Sequence, residues 1–196
     1  MKQTDKGGKM RKYLLILFAL TLLAPGQELI RNGDFEDGLE AWLEQFDNPQ
    51  GTYEIAVDTI YHPDPDNEVR IYKYMRYFAR LSQAVDIPGT DLLFSGSAQL
   101  RASKGSTSGY YAYAALILEY LDSDEQPLGR TMILNKVGTY DPQNTPTQSV
   151  HLVTSSDWEQ YELALSDELA RLTGISPADV TGINVILESY GTGASG

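Results

Sequence analysis

Residues 110–121 read Tyr-Tyr-Ala-Tyr-Ala-Ala-Leu-Ile-Leu-Glu-Tyr-Leu, and Asp122-Ser-Asp-Glu-Gln-Pro127 follows before a second apolar run at 128–134, Leu-Gly-Arg-Thr-Met-Ile-Leu. Side chains alternate between the two faces of an extended strand. Tyr111 and Tyr113 therefore share one face, while Ala112, Ala114, Leu116 and Leu118 share the other, which reads as core. The Asp/Ser/Pro cluster between the runs has turn chemistry and closes a hairpin.

The same pattern extends outward in both directions. Short apolar or alternating runs occur at 52–59, 69–74, 78–87, 92–101, 149–153, 158–165 and 182–190, separated by Gly, Pro, Asn and Asp. Nine candidate strands with turn signals between them predict an all-β antiparallel sandwich. On 92–101, Phe94, Ala98 and Leu100 point inward and Ser97, Gln99 and Arg101 outward. Two short helical turns are expected before the last strand. One covers Asp167–Leu172 after an N-cap at Ser166, and the other follows Ser176 with Pro177 at its first position. Segments 61–68 and 135–148 have loop composition.

Residues 10–26 carry Met-Arg-Lys, an apolar run from Tyr13 to Leu23, and Ala24-Pro25-Gly26, after a basic lead-in. This is the pattern of a secretory signal peptide with cleavage before Gln27. The expected division is a signal peptide at 1–26 and one sandwich domain at 27–196, secreted or at the cell surface. An apolar run of this length falls short of the roughly 20 residues needed to span a bilayer.

The chain of 196 residues has a net charge of −12, and its first 26 residues hold five of the 15 basic side chains. The remainder carries 10 basic and 26 acidic residues, a net of −16. Such a surface repels nucleic-acid phosphates and anionic membranes. With no cysteine in the sequence, disulfides, thiolate metal sites and cysteine nucleophiles are excluded. His62 and His151 lie about 90 residues apart without a zinc-ligand partner nearby, and no hydrolase, P-loop or dinucleotide signature occurs. A non-catalytic role is expected. Glycoside hydrolysis by a pair among the many acids is the enzymatic alternative.

The opening Glu28-Leu-Ile-Arg-Asn-Gly-Asp-Phe-Glu-Asp-Gly-Leu-Glu-Ala-Trp42 resembles that of carbohydrate-binding modules of families 4, 9 and 22, through Asn32, Gly33, Phe35, Glu36, Gly38 and Trp42. Leu81-Ser-Gln83-Ala-Val-Asp-Ile-Pro88-Gly89, Trp158-Glu-Gln-Tyr161 and Ile175–Ile183 are similar to later segments of those modules, so the resemblance spans 28–190. It implies a jelly roll of the galactose-binding-domain type. In such modules a strand like Gly182–Tyr190 leads into a last strand bearing Asp-Asp-Val or Asp-Asn-Val, whereas here Gly-Thr-Gly-Ala-Ser-Gly196 follows. The expectation is a fragment of a longer protein with further domains. The alternative is an unpaired edge met by water, a partner or a domain swap.

The resemblance also implies a structural calcium with Glu36 as ligand and Asp34 and Asp37 as alternatives, since calcium takes hard oxygen donors. The glycan is expected on a concave sheet face displaying Gln99, Arg101, Tyr111 and Tyr113, because tyrosine offers a flat apolar ring and a hydroxyl together. Tyr72, Tyr74 and Tyr77 are candidates for its rim, and Trp42 and Trp158 are expected in the core. A spacer or adhesion domain of the same fold, without a glycan ligand, is the competing role.

Overall fold

The computed structural model describes residues 28–47, 52–59, 67–74, 76–103 and 109–192. The expected signal peptide at 1–26 and His62 lie outside the described residues.

Ten strands are described: β1 (Leu43–Phe46), β2 (Tyr53–Asp58), β3 (Glu68–Lys73), β4 (Tyr77–Asp86), β5 (Leu93–Gln99), β6 (Tyr111–Leu121), β7 (Pro127–Gly138), β8 (Gln148–Leu152), β9 (Trp158–Ala164) and β10 (Gly182–Gly191). Six of them form one sheet in the order β1-β4-β10-β6-β7-β8. The pairs β2–β3 and β5–β9 face it from one side. The expected all-β sandwich is therefore present, with α1 (Leu165–Arg171) and a single 3-10 turn at Pro177–Asp179 before β10.

Between the layers Leu116, Leu118 and Tyr120 of β6 meet Ile133 of β7, Ile183 and Val185 of β10, Leu100, and Tyr161 and Leu163 of β9. Leu118 and Tyr120 are fully buried, and each such apolar side chain contributes about 1.5–3 kcal/mol on leaving water. The Tyr120 hydroxyl satisfies itself against Thr131 Oγ1 at 2.8 Å.

Four details depart from the sequence reading. β7 continues to Gly138, so 135–138 is strand rather than loop; Asn135 there is buried, its amide donating to the carbonyls of Val153 and Ser155, a role its polarity conceals. The nine residues after β7 carry the chain back to the start of that strand, and β8 consequently pairs with β7 in parallel. β1, only four residues long and paired on one side to β4, was not expected as a strand. Finally, α1 begins at Leu165 and places Ser166 inside the helix, with no side-chain cap. Burial of Leu165, Leu169 and Leu172 sets that boundary in place of cap chemistry.

The opening motif acts as a folding unit. Asn32 sits in the left-handed region (φ 50°); its amide donates to the carbonyls of Gly38 and Glu40 and accepts from the Asp37 N–H, each at 3.0 Å. Its own carbonyl accepts from the Trp42 indole at 3.0 Å, and the Phe35 and Trp42 rings lie 5.3 Å apart. Gly38 takes φ +66°, a conformation that costs glycine little. Gln83, buried in β4, accepts from Arg31 N–H at 2.7 Å and donates to Arg31 C=O at 2.9 Å. One amide side chain thus substitutes for a neighbouring strand and anchors the opening stretch to the sheet.

Candidate functional site

Alternate residues of β6 face away from the inter-layer core, and cross-strand neighbours share that face. Tyr113 lies between Tyr190 of β10 and Lys136 of β7, Ala115 between Glu188 and Leu134, Ile117 between Ile186 and Met132, and Glu119 between Asn184 and Arg130. The middle of this outward face is apolar and buried. Ala115, Ile117, Met132, Leu134 and Ile186 form a second cluster against which Tyr113, Tyr140 and Val150 pack. The centre of β6 is thus buried on both sides, which period-two alternation alone did not indicate.

Four tyrosines stand at one end of the face. Tyr111 stacks with Tyr140 at 4.8 Å and Tyr190 at 5.7 Å; Tyr113 stacks with Tyr140 at 5.1 Å and Tyr190 at 4.9 Å. The interplanar angles run from 6° to 25°, so the rings form one block. The Tyr113 hydroxyl donates to Glu188 Oε1 at 2.6 Å. Glu188 Oε2 lies 3.6 Å from Arg80 Nη1, and Arg80 Nε donates to Gln45 Oε1 at 2.8 Å. The Arg80 guanidinium also lies 4.5 Å from the centre of the Phe78 ring. A polar chain, Gln45–Arg80–Glu188–Tyr113, thus crosses β1, β4, β10 and β6 beside the aromatic block.

Burial raises the Tyr113 phenol far above its ordinary range, and the Glu188 carboxylate, Tyr140 and Tyr190 push the same way. Tyr190 is pushed up to about 12 by burial, by its hydrogen bond with Tyr111 and by the charges around it. Both phenols are neutral donors at physiological pH. Tyr72 and Tyr77 are exposed, Tyr74 is half-buried, and Tyr77 lies close enough to Tyr190 to contribute to its shift.

Of the four expected ligand residues, the structure brings Tyr111 and Tyr113 together and leaves Gln99 and Arg101 elsewhere. Gln99 ends β5, paired with Trp158 of β9. Since Phe94, Ala98 and Leu100 point into the core, Gln99 faces outward from the opposite layer, and Arg101 is exposed just beyond it. Consecutive strands β5 and β6 enter different sheets, so one ligand cannot reach all four side chains. Trp42 packs against the core as expected, and Trp158 is half-buried.

Sequence reasoning did not single out Tyr140, Tyr190, Glu188, Arg80 or Gln45. Alternation on 182–190 carries a signal for Glu188 and Tyr190. Tyr140, in the stretch after β7, has none.

Glu36 is exposed, and its Oε1 accepts from the Asn67 N–H at 3.4 Å. Asp34 Oδ1 accepts from Glu36 N–H at 3.4 Å. Among the described residues no group of three or more His, Cys, Asp or Glu side chains converges.

Ser149, His151 and Glu168 do meet, on the core side of the β7–β8 edge. Glu168, buried on α1, accepts through Oε2 from His151 Nε2 at 2.9 Å, Ser149 Oγ at 3.1 Å and Thr131 Oγ1 at 3.2 Å. These are the residue types of a hydrolytic triad, but both Ser149 and Glu168 face the same imidazole nitrogen, with Ser149 Oγ 3.4 Å from Nε2. A working triad places serine and acid on opposite nitrogens. The cluster fastens α1 to β7 and β8.

The chain is similar in fold to β-sandwich carbohydrate-binding modules. A structure of carbohydrate-binding modules of the β-sandwich superfamily with promiscuous specificity shares 16% identity at a TM-score of 0.41, covering 83% of this chain and 55% of that one. A xylan-binding domain of family 22 shares 16% identity at a TM-score of 0.32, covering 88% and 99%. The enzymatically active domain of tailspike protein 4 from bacteriophage CBA120 shares 10% identity at a TM-score of 0.47 over 86% of this chain, which spans only 20% of that one. No protein-family model and no curated protein sequence matches the chain.

Proposed function

We propose that this protein is an exported, non-catalytic module that binds a glycan on the outward face of its six-stranded sheet, at the tyrosine block. The observation that carries the reading is the union of four near-parallel tyrosine rings with Glu188, Arg80 and Gln45 on one face. Aromatic surface favours the C–H side of a pyranose, and a carboxylate, a guanidinium and phenols match its hydroxyls as acceptors and donors. The shared imidazole nitrogen of the Ser149–His151–Glu168 cluster supports the non-catalytic part. Affinity electrophoresis through gels containing soluble neutral polysaccharides tests it. Retardation by at least one polysaccharide, without release of reducing sugar, is expected. No retardation in any gel favours the spacer role, and sugar release favours the hydrolase.

Export rests on residues 1–26. The secreted product is expected to begin at Gln27, read by N-terminal sequencing; a product retaining the leader overturns it.

A calcium at Glu36 belongs to the same reading. Glu36 and Asp34 offer hard oxygens, yet few carboxylates gather there, which fits the millimolar affinities of extracellular modules better than a tight site. Millimolar calcium should raise the melting temperature of the wild type by a few degrees, about 1 kcal/mol of linkage, and leave Glu36→Gln unchanged. Equal responses of the two proteins would remove Glu36 from the site.

A further inference from the structure

An open cavity of about 340 Å³ lies at the end of β6 farthest from the tyrosines, lined by Glu119, Leu128, Arg130, Thr145, Thr147 and Gln148 among others. One row across the sheet reads Asn184, Glu119, Arg130 and Gln148, on β10, β6, β7 and β8 in turn. Opposite charges placed as direct cross-strand partners ordinarily pair with each other. Here each is held by the amide on its far side: Glu119 Oε2 accepts from Asn184 Nδ2 at 3.2 Å, and Arg130 Nε donates to Gln148 Oε1 at 2.8 Å. Among the described residues, the second oxygen of Glu119 and the two terminal nitrogens of Arg130 have no hydrogen-bond partner. A carboxylate and a guanidinium thus line the cavity side by side, each with hydrogen-bonding capacity unused.

The wall that holds them is itself tied down. Gln148 exchanges backbone hydrogen bonds with Thr145 at 2.9 and 3.3 Å, and its Nε2 donates to the Gln143 carbonyl at 2.9 Å. The Arg130 N–H donates to the Thr147 carbonyl at 2.9 Å, and any side chain at Gly129 would strike that same carbonyl. Glycine there lets the two threonines close against β7.

A simple anion in this cavity would meet Glu119 on a chain of net charge −12, and a simple cation would meet Arg130. A ligand carrying both charges a few bonds apart satisfies both residues. Its hydrogen bonds are charge-assisted at each end, roughly twice as strong as those of a neutral hydroxyl pair. We infer that the cavity binds a free α-amino acid with an apolar side chain. The α-ammonium donates to Glu119, the α-carboxylate accepts from the terminal nitrogens of Arg130, and the side chain lies against Leu128. The volume falls in the range of small-ligand pockets. Tyr113 lies six residues away along β6, roughly 20 Å, with the buried cluster of Ala115, Ile117, Met132, Leu134 and Ile186 between. Amino-acid binding is therefore independent of any glycan at the tyrosines.

The experiment is a ¹H–¹⁵N NMR titration with L-leucine, with leucinamide, which lacks the carboxylate, with N-acetyl-leucine, which lacks the ammonium, and with glucose. Leucine should give saturable shifts at millimolar concentration in the amides of Leu128–Arg130 and Thr147–Gln148, and each blocked form should bind roughly tenfold more weakly. Glu119→Gln and Arg130→Gln, shown to be folded by thermal melts, should each weaken leucine binding by a similar factor. The deciding pattern is that Arg130→Gln leaves leucinamide affinity unchanged and Glu119→Gln leaves that of N-acetyl-leucine unchanged. Should a variant fail to fold, the blocked ligands make the same comparison on the wild type. No saturable shift with leucine, equal affinity for leucine and its blocked forms, or stronger shifts of the same amides by glucose would each overturn the assignment, and none of them bears on the tyrosine site.

Discussion

Tyr190→Ala should weaken glycan binding about thirtyfold, the roughly 2 kcal/mol of a central aromatic contact, while the protein stays folded. Tyr190 closes the aromatic block on its β10 side, 4.9 Å from Tyr113 and 5.7 Å from Tyr111. Removing it takes away a contact surface and also frees Tyr111 and Tyr113 to move, so the ligand must order them on binding. The matched control is Arg101→Ala. Arg101 is exposed on the opposite layer, and its loss should leave affinity unchanged. A reversal, with Arg101 or Gln99 essential and Tyr190 dispensable, would move the site to the β5–β9 face.

Glu168→Ala should cost about 3–5 kcal/mol of stability, because one buried carboxylate satisfies three donors. Thr131 and Ser149 are themselves buried at 0% and 5% exposure, so water cannot replace the lost acceptor. For a domain of this size the melting temperature should fall by about 10 °C. Glu168→Gln, which keeps the shape and one acceptor oxygen, should lose less. Since Glu168 lies on the core side of the sheet, glycan affinity measured well below the melting point should be unaffected in both variants. A melting temperature within 2 °C of the wild type would show that the α1 fastening contributes little.

The tyrosines of β6 were legible because period-two alternation separates Tyr111 and Tyr113 from Leu116 and Leu118, whatever the strand pairs with. Their function was only half legible. A sugar site needs groups from several strands, and Tyr190, Glu188, Arg80 and Tyr140 come together through register that no local signal specifies. Gln99 and Arg101 show the converse: alternation correctly turned them outward, but it does not say from which sheet. Glu168 and Asn135 are polar residues whose burial follows from partners distant in the chain, so each resembled a solvated residue when viewed alone.

The opening motif illustrates a different limit. Its spacing resembles the opening of a known family of modules, yet the reason for Asn32, Phe35, Gly38 and Trp42 is a self-bonded set of turns, and Gln83 holds Arg31 in place of a strand.

By itself, the chain's order of residues determined that it folds into strands, where most of them run, which side of β5 and β6 is apolar, and that thiol chemistry is absent. Those properties follow from the two-residue period of extended backbone and from composition, both local. Tertiary structure alone decided that β5 and β6 lie in opposite layers, that β8 returns parallel to β7, and that four tyrosines, a carboxylate and a guanidinium share one surface. Such neighbourhoods depend on hydrogen-bond register and layer packing between segments as much as 114 residues apart, as Tyr77 and Gly191 are, to which the residues of any one segment are indifferent.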